Sequence, residues 1–256
     1  MRKTILFLSF TALIFSLFSC QKTAKKPLPE LSPEFTAVLE AHGDWQKWYY
    51  AKAQSYAMIH ETLMITESSF VNLESRKIRI TNPEFEIGFD GSQTWVSPTR
   101  EAYKGRSVKF YHNLYFYFFN IPFVFTDPGV TVAQVEDKTV NGQKYKTLEA
   151  TFAPNTGASP DDQYFMLINP DSQRLEYLLY SVSDSNNPNP PLNALKYEDY
   201  RNSDGVLFPR ILTGFTYEND STKSIRYQVS FDDPLLLDEE FESSIFEKPG
   251  KGVFAD

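Results

Sequence analysis

Apolar and polar residues alternate with a period of two along most of the chain. Ile225, Tyr227, Val229 and Phe231 are separated by Arg226, Gln228 and Ser230, the pattern of a strand with one buried and one wet face in an antiparallel sheet. Phe85, Ile87 and Phe89 alternate with Glu84, Glu86 and Gly88, and Asp90-Gly91 then supplies a hairpin turn into Thr94–Val96. Asn141-Gly142 predicts a second tight turn, between Thr139–Val140 and a strand running through Tyr145 to Phe152. Three polar turns follow: Asn169–Ser172 between Gln163–Ile168 and Arg174–Val182, Asn202–Gly205 between Leu195–Tyr200 and Val206–Thr213, and Glu218–Ser221 between Leu212–Tyr217 and Ile225–Phe231. Ser185–Pro191 is polar and proline-rich, and reads as a long loop within one domain. Strands at this spacing predict a single curved antiparallel sheet or incomplete barrel of about eleven strands.

Two segments have helical spacing instead. Phe35, Val38 and Leu39 suit a short helix with Ser32 as its N-cap, Pro33 at its first position and Gly43 near its end. Trp45 and Trp48 share one face of the next turn. The second segment, Phe110–Phe125, has nine aromatic rings in sixteen residues. Tyr111, Tyr115, Phe118, Phe119 and Pro122 form one stripe of a helix, and Leu114, Phe116 and Tyr117 cover its other sides. A helix apolar all round has to be buried, which puts it on the concave face of the sheet. The fold class is therefore mainly β (α+β), with helices covering the concavity. The 22 Phe and 15 Tyr against four Met agree with a strand-rich core.

The first twenty residues have a different character. Arg2 and Lys3 precede a largely apolar run from Ile5 to Phe18, and Leu17-Phe18-Ser19-Cys20 closes it. A short positive region, an apolar stretch of this length and a small residue before the cut describe a secretory signal peptide, since a membrane span needs about 20 apolar residues. The closing residues resemble the bacterial lipobox, whose cysteine is acylated and becomes the first residue of the mature protein. Cys20 is the single cysteine of the chain. The expected organisation is residues 1–19 as signal peptide, 20–33 as a lipidated tether stiffened by Pro27, Pro29 and Pro33, and 34–256 as one carrier-like β domain.

Charge and chemistry narrow the choice of function. The formal net charge of −8 becomes −10 once Arg2 and Lys3 leave with the signal peptide, which argues against nucleic acid as a partner. His42, His60 and His112 have no metal-ligand spacing, and the chain contains no G-x-S-x-G elbow, phosphate loop or dinucleotide fingerprint. His42 reads as a cap or surface group and His112 as a hydrogen-bonded structural residue. Asp161-Asp162, Asp232-Asp233 and Asp238–Glu240 are adjacent acids that strand geometry would send to opposite faces. No catalytic residue, metal site or cofactor is predicted.

Phe110–Val130 resembles the signature of an uncharacterised lipoprotein family of Bacteroidota. Ala41–Trp48 is similar to that family's opening helix, and Ile87–Gly91 with Trp95–Pro98 to its first hairpin. Asn193–Leu195 and Leu207–Arg210 match later landmarks. More distantly, the layout resembles the periplasmic lipoprotein-carrier and receptor fold (LolA/LolB-like), which holds acyl chains in an apolar cavity. The resemblance implies a fold and a class of ligand, and transfers no ligand-contacting residue.

The sequence thus predicts an envelope lipoprotein anchored through Cys20. It lies at the outer membrane and faces the periplasm, because Gln21–Lys26 lacks the acidic residues that mark surface export in this bacterial group. Its expected ligand is a lipid or acyl chain, held in an apolar cavity lined by Trp95, Tyr111, Tyr115, Phe118, Phe119 and Phe123. The alternative is a non-catalytic accessory subunit of an envelope complex whose aromatic segment is its own core. A hydrolase stands behind both.

Overall fold

The computed structural model describes residues 26–255 except 106, 155, 157–161 and 184–189. The leader, Cys20, Asp161 and most of the Ser185–Pro191 loop lie outside the described residues.

Helix α1 (Pro33–Ala41) begins where the sequence predicts, with the Ser32 side chain accepting the Phe35 N–H at 3.3 Å. It ends at His42, and α2 (Trp45–Tyr50) follows Gly43, whose φ of +88° suits glycine. Five strands then meander outward: β1 (Ala53–His60), β2 (Ile65–Asn72), β3 (Ile78–Thr81), β4 (Glu86–Phe89) and β5 (Thr94–Ser97). Helix α3 (Val108–Asn120) and a 3-10 turn at Phe123–Thr126 come next. Seven longer strands follow: β6 (Val130–Val140), β7 (Gln143–Phe152), β8 (Tyr164–Ile168), β9 (Leu175–Tyr180), β10 (Asn193–Ser203), β11 (Val206–Glu218) and β12 (Ser221–Leu237). The two-residue β13 (Val253–Phe254) closes the chain.

All thirteen strands join one sheet in the order β13-β5-β4-β3-β2-β1-β12-β11-β10-β9-β8-β7-β6. Every strand pairing among the described residues is antiparallel. Two meanders therefore meet back to back at β1 and β12, with Ala53 opposite Leu237. The first meander ends at one side of the sheet and the second starts at the far edge, so the intervening chain must cross the whole sheet. Helix α3, about 20 Å long at 1.5 Å per residue, makes that crossing over the concave face. Its apolar circumference follows from this position.

The concave face is the main core. Tyr56 and Met58 of β1, Ile78 and Ile80 of β3, and Val229 and Phe231 of β12 all lie in it, together with α3. The predicted hairpin turns are present, with positive φ at Asn141 and Gly142, Asp204 and Gly205, and Asn219 and Asp220. Three expectations change. Val206–Thr213 and Leu212–Tyr217 are one strand, β11. The count is thirteen because β1, β2, β3 and the two-residue β13 are not marked by the pattern, and β1 and β2, which place Gln54, His60 and Glu67 inward, have no clean alternation in sequence. Register shifts near Phe215 break the expected two-sided pattern of β12, leaving Ile225 exposed while Ser230 is buried and donates to Glu61 at 2.6 Å.

The back of the sheet also carries apolar packing. Tyr145, Phe165, Leu167, Tyr177 and Leu179 form a second cluster there. The tips of the β6–β7 and β11–β12 hairpins are joined to each other, with Asn141 N–H donating to the Asp220 carbonyl at 2.9 Å and the Tyr217 hydroxyl donating to the Thr139 carbonyl at 3.1 Å. No helix among the described residues is long and apolar enough to cross a membrane.

Candidate ligand site on the concave face

Helix α3 starts at Ser107, whose hydroxyl accepts the Phe110 N–H at 3.1 Å. It stops before Pro122, because the residue preceding a proline is pushed toward extended backbone, and Ile121 is extended. Between those ends its sheet-facing side divides into two chemically different halves.

The C-terminal half is phenylalanine in a closed core. The Phe119 ring is wholly buried, stacked on Phe231 with centroids 4.1 Å apart and on Phe208 at 5.2 Å. Phe118 packs edge-on to Tyr180 at 4.9 Å, and Phe123 stacks on Trp48 at 5.7 Å. Asn120, also wholly buried, accepts the Trp48 indole N–H at 2.8 Å and donates to the Phe116 carbonyl at 2.9 Å, so α2 and α3 are fastened together inside the core. His42 fills the space beyond Phe123. Its Nδ1–H donates to the Val38 carbonyl at 2.7 Å and its Nε2 accepts the Leu175 N–H at 3.4 Å, which fixes a neutral imidazole. Burial lowers its pKa to about 4. His42 is a buried structural cap, and the expectation of a surface group is corrected.

The N-terminal half is tyrosine over polar groups. Glu67 of β2 is 2% exposed, and both its oxygens accept the Tyr111 hydroxyl at 2.9 Å. Burial, which penalises the charged form, raises its pKa to about 7 despite that bond. The Tyr111 and Tyr115 hydroxyls are pushed up in turn, first by burial and then by Glu67. His60 of β1 packs its ring edge against Tyr115 at 5.2 Å, and its Nδ1 has no hydrogen-bond partner among the described residues. Tyr115 leads on to Tyr227 at 6.1 Å, and the Tyr227 and Tyr180 hydroxyls are 3.3 Å apart. Arg226, exposed beside them, donates to the Asn193 side-chain oxygen, and its charge favours the ionised form of Tyr180 against burial. Around this end the surface is apolar: Leu63 and Met64, in the turn after His60, are 61% and 80% exposed, and Phe110 is 50% exposed.

The structure places Tyr115, Phe118, Phe119 and Phe123 in the main core with Tyr111 packed against it, but Trp95 does not join them. Val96 pairs with Ile87 in the main core, whereas Trp95 pairs with Gly88 on the opposite face. There its indole N–H donates to the Phe246 carbonyl at 2.8 Å and the Arg79 guanidinium lies over the ring. A Cβ at Gly88 would overlap the indole, so that glycine makes room for it. Trp95 is a pillar of the convex side. Sequence reasoning missed Glu67 and His60 because their inward orientation depends on strand register, not on local pattern. The His112 Nδ1–H donates to the Lys109 carbonyl of its own helix, 2.6 Å away, and the residue is structural. Among the described residues no three His, Cys, Asp or Glu gather closely enough to hold a metal ion.

A mostly antiparallel, unclosed sheet with an aromatic helix across its hollow defines the class of fold. Residues 97–207 match the model of a family of unknown function (DUF6503), and the aromatic segment Phe110–Val130 lies inside that match. No curated protein matches the sequence. Among solved structures the chain is similar to a DUF1329 family protein from Desulfovibrio piger, at 10% identity over 84% of this chain and 95% of that one, with a TM-score of 0.49. It is also similar to a LolA superfamily protein from Nitrosomonas europaea, at 10% identity over 80% and 98% with a TM-score of 0.38. A putative outer membrane lipoprotein-sorting protein domain from Vibrio parahaemolyticus gives 9% identity over 83% and 97%, and a TM-score of 0.41.

Proposed function

We propose that this protein is an envelope lipoprotein, anchored through Cys20 at the periplasmic side of the outer membrane, that binds an amphiphile between α3 and the concave sheet. The observation that carries the reading is the division of the helix. One half sets tyrosine hydroxyls, a buried carboxyl and an unpartnered imidazole beside an exposed arginine. The other half is continuous phenylalanine. A headgroup suits the first and an acyl tail the second, and the exposed Leu63, Met64 and Phe110 give an apolar entrance. Phe119 is fully enclosed, so a tail that reaches it displaces α3 and exchanges ring stacking for acyl contact. No step in this function requires catalysis.

Native mass spectrometry of gently extracted protein tests the reading. A stoichiometric acyl-containing ligand is expected, with occupancy reduced in Tyr111→Phe and Glu67→Gln. The stacked Phe119–Phe231 pair favours a second reading, a non-catalytic accessory subunit with a self-sufficient core. A protein that emerges empty, and takes up no lipid when offered it, selects that second reading.

A further inference from the structure

A cavity of about 480 Å³ opens at the other end of the β1–β2 hairpin, where the tether meets the folded chain. Its floor is aromatic, formed by Trp48, Tyr49 and Tyr50 of α2. Its charges come in both signs, and most are already engaged. Arg76 pairs with Asp127 and lies over the Phe116 ring, and Lys52 pairs with Glu74 at 3.4 Å. Two remain outside any ion pair among the described residues: Lys26, whose ammonium sits 3.8 Å above the Tyr49 ring, and Asp238, exposed in the cavity lining. The tether is held against this wall, since the Tyr49 hydroxyl donates to the Pro27 carbonyl at 2.8 Å.

We propose that this cavity binds the headgroup of a zwitterionic aminophospholipid, with the phosphate on Lys26 and the ammonium on Asp238. This inference rests on the tether reading, because Cys20 is only six residues from Lys26 and so places its acyl chains within about 20 Å of the cavity. A bilayer that holds those chains is within that reach of the α2 face. One free cation and one free anion in the lining of a single tyrosine-rich hollow complement an ion that carries both charges. A purely anionic headgroup would leave Asp238 opposed to it.

The test uses the protein extracted from membranes into neutral detergent. It is titrated separately with short-chain phosphatidylethanolamine, phosphatidylcholine and phosphatidylglycerol, followed by amide chemical shifts in residues 48–52 and 73–76. Saturable shifts with phosphatidylethanolamine are expected. Lys26→Ala and Asp238→Ala, both at exposed positions whose loss leaves the fold intact, should each weaken binding at least about fivefold. Free phosphoethanolamine should compete. Equal responses to all three lipids, a response to phosphatidylglycerol alone, insensitivity to Asp238→Ala, or no response would each overturn the proposal. Native mass spectrometry reports the concave-face ligand separately, so one result stands when the other fails.

Discussion

Glu67 is where a single side chain sets a measurable property of the molecule. Its pKa is raised from 4.5 to about 7 by burial, so between those values the folded protein keeps a proton that the unfolded chain has released. Stability from this residue is complete below pH 4.5, declines as pH rises through the window, and levels off above it. The full effect corresponds to about 3 kcal/mol. Glu67→Gln keeps a hydrogen-bond acceptor for Tyr111 and does not titrate. Urea unfolding at pH 5 and pH 8 should show the wild type losing stability between the two while the variant loses less. Identical losses would mean the carboxyl is already ionised in the fold. His42 acts with the opposite sign, since its neutral form is the folded one and its contribution is lost as pH falls from 6.5 toward 4.

At the scale of elements, α3 is held by stacking at one end and hydrogen bonding at the other. Phe119→Ala and Phe231→Ala should each cost about 3–5 kcal/mol. Because their rings share one contact, the double variant should cost less than the sum by about 1 kcal/mol. Thermal unfolding of the three variants measures the difference, and strict additivity would show that the two rings sit in independent environments. This element was legible in sequence because a helix with aromatic rings on every side has to bury most of them, and only Phe110 among the nine is left exposed. So were the hairpins with Asn-Gly or Asp-Gly turns, whose positive φ few residues accept. The first two strands were not, since Gln54, His60 and Glu67 put polar atoms on the buried face. Trp95 was misplaced for a related reason. Both faces of β5 are apolar, and which of Trp95 and Val96 meets the helix is decided by the distant segment around Phe246 that covers the other side.

For the whole molecule, the proposed anchor at Cys20 has the plainest test. Cys20→Ala should abolish labelling by a fatty-acid probe and release the protein from the membrane, because every acyl chain depends on that residue. Continued labelling would retire the lipobox. The effect on folding stability should be small, since Cys20 precedes the tether contacts of the described residues, which begin at Lys26 and Pro27 and continue through Leu31 and Ser32.

The pairing of β1 with β12 has a further consequence, one of timing. Ala53 is synthesised early and Leu237 late, yet they are neighbours in the finished sheet. Until the last long strand arrives, the inner edge of the first meander is open and α3 has only half a surface to cover. Such distant pairing is slow to form. If the chain is exported as proposed above, that delay is an advantage, because the sheet cannot close while the C-terminal quarter is still on the other side of the membrane. The same delay makes β1 the strand most exposed to a wrong neighbour, and release of the C-terminus is the event that removes the hazard.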